Sequence, residues 1–193
     1  MRDLKTFRLV NKIEKSIINN SLLKFSSKVL SYIKENDYRF YISINDEQTE
    51  SKFPLIYLVS SENSNSLEET LKNENIHTAG LYFGFIKKGI FYLSLEGAEF
   101  LHNHQVLPNS NKITINEKGE KSILYGNDIL KSVISRIPPE LKKNNLLAVF
   151  NQKNEIIAIA RATIDSTSFQ NLNLNQRVAQ NLVDKGYYLR KRQ

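Results

Sequence analysis

The strongest constraint on the fold of this chain is a change of hydrophobic period inside the stretch Lys118 to Ile137. Lys118-Gly119 reads as a turn, the glycine suiting a positive φ that residues with side chains avoid. Glu120 to Tyr125 then reads as about one and a half turns of helix, with Ile123 and Leu124 facing inward. Gly126 supplies the stop, since a residue without Cβ readily takes the left-handed position after a helix cap. From Lys131 onward the period falls to two, which puts Val133, Ser135 and Ile137 on one face of a strand and Ile134 and Arg136 on the other. Short helix, glycine, apolar pair and strand make one compact unit with cations along its edges.

Charge is distributed unevenly along the chain. The 193 residues carry a formal net charge of +7. Met1 to His102 hold 13 Lys and Arg against 13 Asp and Glu, whereas Asn103 to Gln193 hold 14 against 7. A basic half joined to a neutral one is the electrostatic footprint of a polyanion partner, RNA or DNA. A lysine-rich surface that merely keeps the protein solvated is the alternative. Cysteine is absent, which excludes disulfides and thiolate metal sites. The first residues are charged with no apolar run behind them, and no stretch is long enough to span a bilayer, so a soluble intracellular protein is expected.

The neutral half mixes helical and strand patterns. Leu9, Val10, Ile13 and Ile17 share helical spacing within Leu4 to Ile18, with Asn19-Asn20 as a stop, and Leu22, Phe25, Val29 and Ile33 repeat the pattern. Both stripes are expected to face a core. Arg39 to Ile44 alternates as a half-buried strand, and the polar, acidic Asn45 to Lys52, which lacks apolar spacing, reads as a loop. Pro54 confines the strand Leu55 to Ser60 to an edge, or itself to the opening position. Ser66-Leu67-Glu68-Glu69 has the form of a capping box that starts a short helix ending near Lys72. Gly80 to Ile86 and Ile90 to Leu95 form a hairpin through Lys87-Lys88-Gly89, and Ser94 caps a helix from Leu95 to Leu101.

In the basic half, Lys112 to Ile115, Leu146 to Phe150 and Ile156 to Thr163 read as strands, the last two joined through the polar turn Asn151-Gln152-Lys153-Asn154. Pro138-Pro139 ends the strand before them, Glu140 to Asn145 is a basic loop, and Ser166 to Asn175 is a loop rich in Ser and Asn. If Gly186 to Arg192 is a strand, Tyr188, Arg190 and Arg192 share one face and Tyr187, Leu189 and Lys191 the other. The first face then combines an aromatic plane for a base with two guanidiniums for phosphates.

Other chemistry finds little support. Gly126 to Ser132 lacks the length and the second glycine of a phosphate-binding loop, and no glycine triad follows a strand. His102, His104 and His77 are too few for zinc without cysteine. Asp128 and Asp165 have no acid or base partner at useful spacing, and Asp128 suits a turn or cap after Gly126.

The run Gly126-Asn127-Asp128-Ile129-Leu130-Lys131-Ser132, with Leu124-Tyr125 before it, resembles the signature of the Nip-seven family of ribosome-biogenesis factors, whose chains end in a PUA domain. Gly84-Phe85-Ile86-Lys87-Lys88, Asn145 to Phe150, Ile156 to Ala162 and Gly186 to Arg190 are similar to further parts of that family. The resemblance implies an α+β fold: an N-terminal antiparallel sheet with flanking helices (1–102), a linker (103–110) and a PUA-like mixed β-barrel (111–193). It implies a non-catalytic RNA-binding factor for large-subunit biogenesis and pre-rRNA processing, with other assembly proteins as partners of the first domain. No small-molecule cofactor, metal or membrane partner is implied. The location would be cytoplasmic in a prokaryote and nuclear or nucleolar in a eukaryote. The candidate RNA contacts are Lys118, Lys121, Lys131, Arg136, Arg161, Lys185, Tyr188, Arg190, Lys191 and Arg192, with Gly126 structural. An RNA-modifying enzyme of pseudouridine synthase or methyltransferase type, or its accessory subunit, is the alternative, since PUA modules accompany those as well.

Overall fold

Two β-sheets, each with its own core, organise the computed structural model, which describes residues 7–44, 53–73 and 76–190. The chain divides into two units, Met1–Gly97 and Ala98–Gln193.

The first unit is a five-stranded antiparallel meander, β1 (Phe7–Leu9), β2 (Tyr38–Ser43), β3 (Leu55–Ser60), β4 (Leu81–Lys87) and β5 (Ile90–Leu93), in that spatial order. Strand alternation sends Tyr41, Tyr57 and Val59 to one face, where they pack with Phe7 and with Leu67 of α3 (Ser61–Asn73). Phe40, Ile42, Ile56, Leu58 and Phe83 point the other way and are equally buried. On the strands' flanks α1 (Lys12–Leu23) packs against β5, and α2 (Ser27–Glu35) against β2.

Several elements depart from the periodicity reading, each for a long-range reason. Phe7–Leu9 is a strand instead of the opening of a helix, because Phe7 stacks on Tyr41 at 5.4 Å and meets Tyr57 edge-on at 5.6 Å. The first helix therefore starts at Lys12, with Asn11 and Glu14 forming a capping box, and runs past Asn19-Asn20 to Leu23. Its buried stripe is Ile18, Ser21 and Leu22, while Ile13 lies 74% exposed. The Ser66–Glu69 box falls inside α3, whose helix begins at Ser61 because Ser64 is held by Tyr41 Oη at 2.8 Å. Pro54 does keep to the position before β3, but β3 is the middle strand of the sheet, not an edge. The Lys87–Ile90 hairpin forms as expected, with Lys88 and Gly89 both at positive φ, and Ser94 Oγ accepts from the Gly97 amide at the start of α4 (Leu95–Asn103). The expected loop Asn45 to Lys52 lies outside the described residues.

The second unit contains β6 (Lys112–Ile115), α5 (Glu117–Leu124), β7 (Ile129–Leu130), β8 (Ile134–Arg136), β9 (Leu146–Phe150), β10 (Ile156–Ala162), β11 (Arg177–Asp184) and α6 (Tyr187–Arg190). Its sheet has the order β7-β11-β10-β9-β6-β8, with β6 and β9 parallel and the other pairs antiparallel. The outer strands β7 and β8 are separated in sequence by a single three-residue 3₁₀ turn, Lys131–Val133. Three residues span about 10 Å at most, so the sheet must curl until its edges nearly meet. That closure makes the unit a barrel, filled by Ile113, Ile115, Ile123, Ile129, Leu147 and Val178 among others.

Four corrections fall in this unit. The strand expected from Lys131 begins only at Ile134, because the preceding turn carries the chain around the closing corner. The helix begins at Glu117, so Gly119 is helical, not a turn residue; it is glycine because a Cβ there would come 2.6 Å from Val133 Cβ. Arg177–Asp184, which carries no clean alternation, is the longest strand of the sheet. The segment after Gly186 is a short helix instead of a strand, with the Arg190 amide bonded to the Gly186 carbonyl at 3.1 Å.

Gly126 stands at φ +88°, in the left-handed region, and its amide donates to the Ile123 carbonyl at 2.8 Å. Arg190 closes the same corner: its guanidinium forks onto both Asp184 carboxylate oxygens at 2.9 Å and donates to the Leu124 carbonyl. Asp184 is buried, and the hydrogen bonds push the Arg190 pKa above its ordinary value.

Gly126→Val should destabilise the chain by about 1–3 kcal/mol through backbone strain, read as an earlier thermal unfolding transition of the full chain; an unchanged transition would show that the corner tolerates a side chain. Arg190→Ala and Asp184→Asn should each lower the melting temperature. Their combination should fall short of the sum, as two ends of one interaction do, whereas additive shifts would mean that the fork contributes nothing.

Candidate nucleic-acid interface

Helix α5 places two exposed cations of the second unit on one face. Asn116 caps it by accepting from the Gly119 amide at 2.9 Å, and this fixes the helical register. Ile123 then faces the core and Gly119 lies against Val133. Lys118, Lys121 and Tyr125, at positions i, i+3 and i+7, fall on the opposite, exposed side. Tyr125 is 75% exposed, and no described carboxylate pairs with either lysine. A phenol ring beside two free ammonium groups offers a stacking plane and a phosphate track within one helix face.

Tyr125 was not among the candidate contacts. The expected helix began at Glu120, which left Lys118 outside it and hid the shared face. Asn116, an N-cap residue type followed by Glu117 in the first turn, was the signal for the earlier start.

The other sequence-named cations are spread around the unit and differ in how far they are engaged. Lys131 Nζ donates to the carbonyls of Gln170 (2.9 Å) and Leu172 (2.8 Å) and lies 5.3 Å from the Phe169 ring centre, so it pins the loop after β10. Arg190 is held by Asp184 and Leu124. Lys185 pairs with Glu99 at 2.7 Å across an exposed pair, a weak tie that leaves the ammonium accessible. Arg161 is half-buried in β10, opposite Gln180 and Leu146. Arg136 is exposed on β8 and lines a separate cleft. The Tyr188 side chain, Lys191 and Arg192 lie outside the described residues. The strand geometry that would have set Tyr188, Arg190 and Arg192 on one face does not hold, since residues 187–190 are helical.

Asp128, Asp165 and His102 have structural partners. Asp128 accepts from the Asn181 amide (2.9 Å) and from Arg177 Nη1 (2.8 Å), so it ties β11 to the corner after Gly126. Asp165 accepts from the Lys143 amide at 3.0 Å. His102 packs edge-on against Phe150 at 4.8 Å, and burial lowers its pKa, with the charge of Lys112 adding to the effect. Among the described residues no three His, Asp or Glu side chains converge as a metal site would require.

Comparison with known proteins assigns the family. Residues 111–193 match the family model described as the UPF0113 PUA domain. A UPF0113 protein of Archaeoglobus fulgidus is 32% identical over 173 residues, covering 89% of this chain and 92% of that one. The 60S ribosome subunit biogenesis protein nip7 of Schizosaccharomyces pombe is 24% identical over 136 residues, 70% of this chain and 73% of that one. A PUA domain protein of known structure from Thermoplasma acidophilum superposes with a TM-score of 0.58 at 16% identity, over 96% of this chain and 98% of that one, which shows the fold. Both units are thus shared with relatives along nearly their whole length, and the chain belongs to the UPF0113, or Nip-seven, family.

Proposed function

We propose that this protein is a non-catalytic RNA-binding factor of large-ribosomal-subunit assembly and pre-rRNA processing, whose PUA unit holds an rRNA segment across the exposed face of α5. The observation that carries this reading is the alignment of Lys118, Lys121 and Tyr125 on that face, within the half of the chain that holds all the excess positive charge. Two ammonium groups that no described carboxylate pairs with attract a phosphate chain, and an exposed ring accepts any base by stacking. A relative named for 60S subunit biogenesis supports the process. The neutral first unit, with a sheet buried on both faces, is the part proposed to meet other assembly proteins. The compartment follows from where ribosomes are assembled: the cytoplasm in a prokaryote, the nucleolus in a eukaryote.

Full-length chain titrated with labelled single-stranded RNA tests the reading. Lys118→Gln and Lys121→Gln should each weaken binding to all sequences and flatten the log-affinity against log-salt slope by about 0.7 per lost phosphate contact. Tyr125→Ala should cost about 1–3 kcal/mol of binding with little change in slope. Because Tyr125 is exposed, its melting temperature should stay near that of the parent. Full affinity in all three variants would place the RNA elsewhere on the unit.

A further inference from the structure

A cleft of about 360 Å³ opens on the outer side of β8, β6 and β9. Its floor follows from strand register. Ile113 and Ile115 of β6 point into the barrel core, so Lys112 and Thr114 point out. Thr114 is paired with Arg136 of β8 on one side and with Phe150 of β9 on the other, so the three side chains stand in a row. Lys112 lies two residues along from Thr114, diagonal to Arg136 at a spacing of about 7–8 Å between backbones, within reach of long side chains. Asn109 and Asn154 stand at the margins, and Glu140, which is exposed, is the one carboxylate among the lining residues.

We propose that this cleft binds a phosphate group between Lys112 and Arg136, with the Thr114 hydroxyl as a third donor. On the RNA reading above, on which the source of that phosphate rests, it is a backbone phosphate of the bound strand. No described carboxylate lies in ion-pair contact with Lys112 or Arg136. Lys112 sits 5.9 Å from the Phe150 ring centre, and partial burial lowers its pKa, so an anion in the cleft would supply a countercharge that no described carboxylate provides by ion pairing. A guanidinium fork and an ammonium group suit phosphate oxygens. The cleft does not suit a base: Phe150 is only 2% exposed, covered by His102 and Lys112, and offers no open ring to stack on. The volume falls in the range of small-ligand sites, about 300–1,000 Å³, which leaves room for the sugar beside the phosphate.

The test compares the full-length parent, the variant Lys112→Met with Arg136→Gln, and the variant Lys118→Gln with Lys121→Gln. Each is titrated with oligouridylate at several salt concentrations, and separately with inorganic phosphate while the Thr114 and Arg136 NMR signals are followed. The cleft variant should bind RNA about three- to tenfold more weakly at physiological salt, with a slope flatter by about 1 to 1.5 and an unreduced melting temperature. Phosphate should shift both signals in the parent, and the Thr114 signal should stay fixed in the cleft variant. Phosphate shifts with unchanged RNA affinity would support the site and assign it to a free phosphate. Parental RNA affinity and slope together with no phosphate response would overturn the proposal. If the parent binds no RNA, the functional reading fails, and the phosphate titration alone decides the cleft.

Discussion

The C-terminal end of α5 is the point on which the second unit depends. A helix leaves its last carbonyls without intrahelical donors, and here that end is set against the barrel instead of projecting freely into water. Gly126 turns the chain through the left-handed region and returns its own amide to the Ile123 carbonyl. Asn181 of β11 donates to the carbonyls of Ile123 (3.1 Å) and Asn127 (3.2 Å), and Arg190 of α6 donates to that of Leu124. Asp184 then neutralises the arginine, and Gly186 lets α6 come close, since a Cβ there would meet the Leu124 carbonyl oxygen. Three separate elements are joined by one set of hydrogen bonds to peptide groups. Such a set is costly to break in part, because each remaining buried polar atom loses its partner.

This use of side chains sorts the cations of the basic half. Lys131 and Arg190 face carbonyls and a carboxylate and hold the barrel together. Lys118 and Lys121 face solvent on α5, with Tyr125 beside them. Lys112 and Arg136 share a cleft on the far strands of the same sheet. Net charge attracts a polyanion to the whole half, whereas the local partners of each cation decide where a phosphate can be held.

Much of the architecture was legible in the residues. The Lys87–Ile90 hairpin, the Ser94 cap, strands β6, β9 and β10 and the stop at Gly126 all follow from local patterns that need no distant partner. Where the pattern misled, a long-range contact had intervened. Phe7 joins a sheet because Tyr41 and Tyr57 receive its ring. In β11, the adjacent Val178 and Ala179 are both buried beside a register shift, and Asn181 is spent on α5, so strict alternation is lost. Gly119 reads equally well as a turn or as a close approach, and only the position of Val133 separates the two.

By itself, then, the sequence determined the α+β class, the neutral and basic halves, the glycine-stopped helix and the family signature, all of which rest on composition or on neighbours within a few residues. Only the tertiary structure decided which cations remain free. Lys131 is occupied by carbonyls about forty positions on, and Arg190 by one more than sixty positions back. Availability of a charged group is a property of what folds against it, and periodicity carries no information about that.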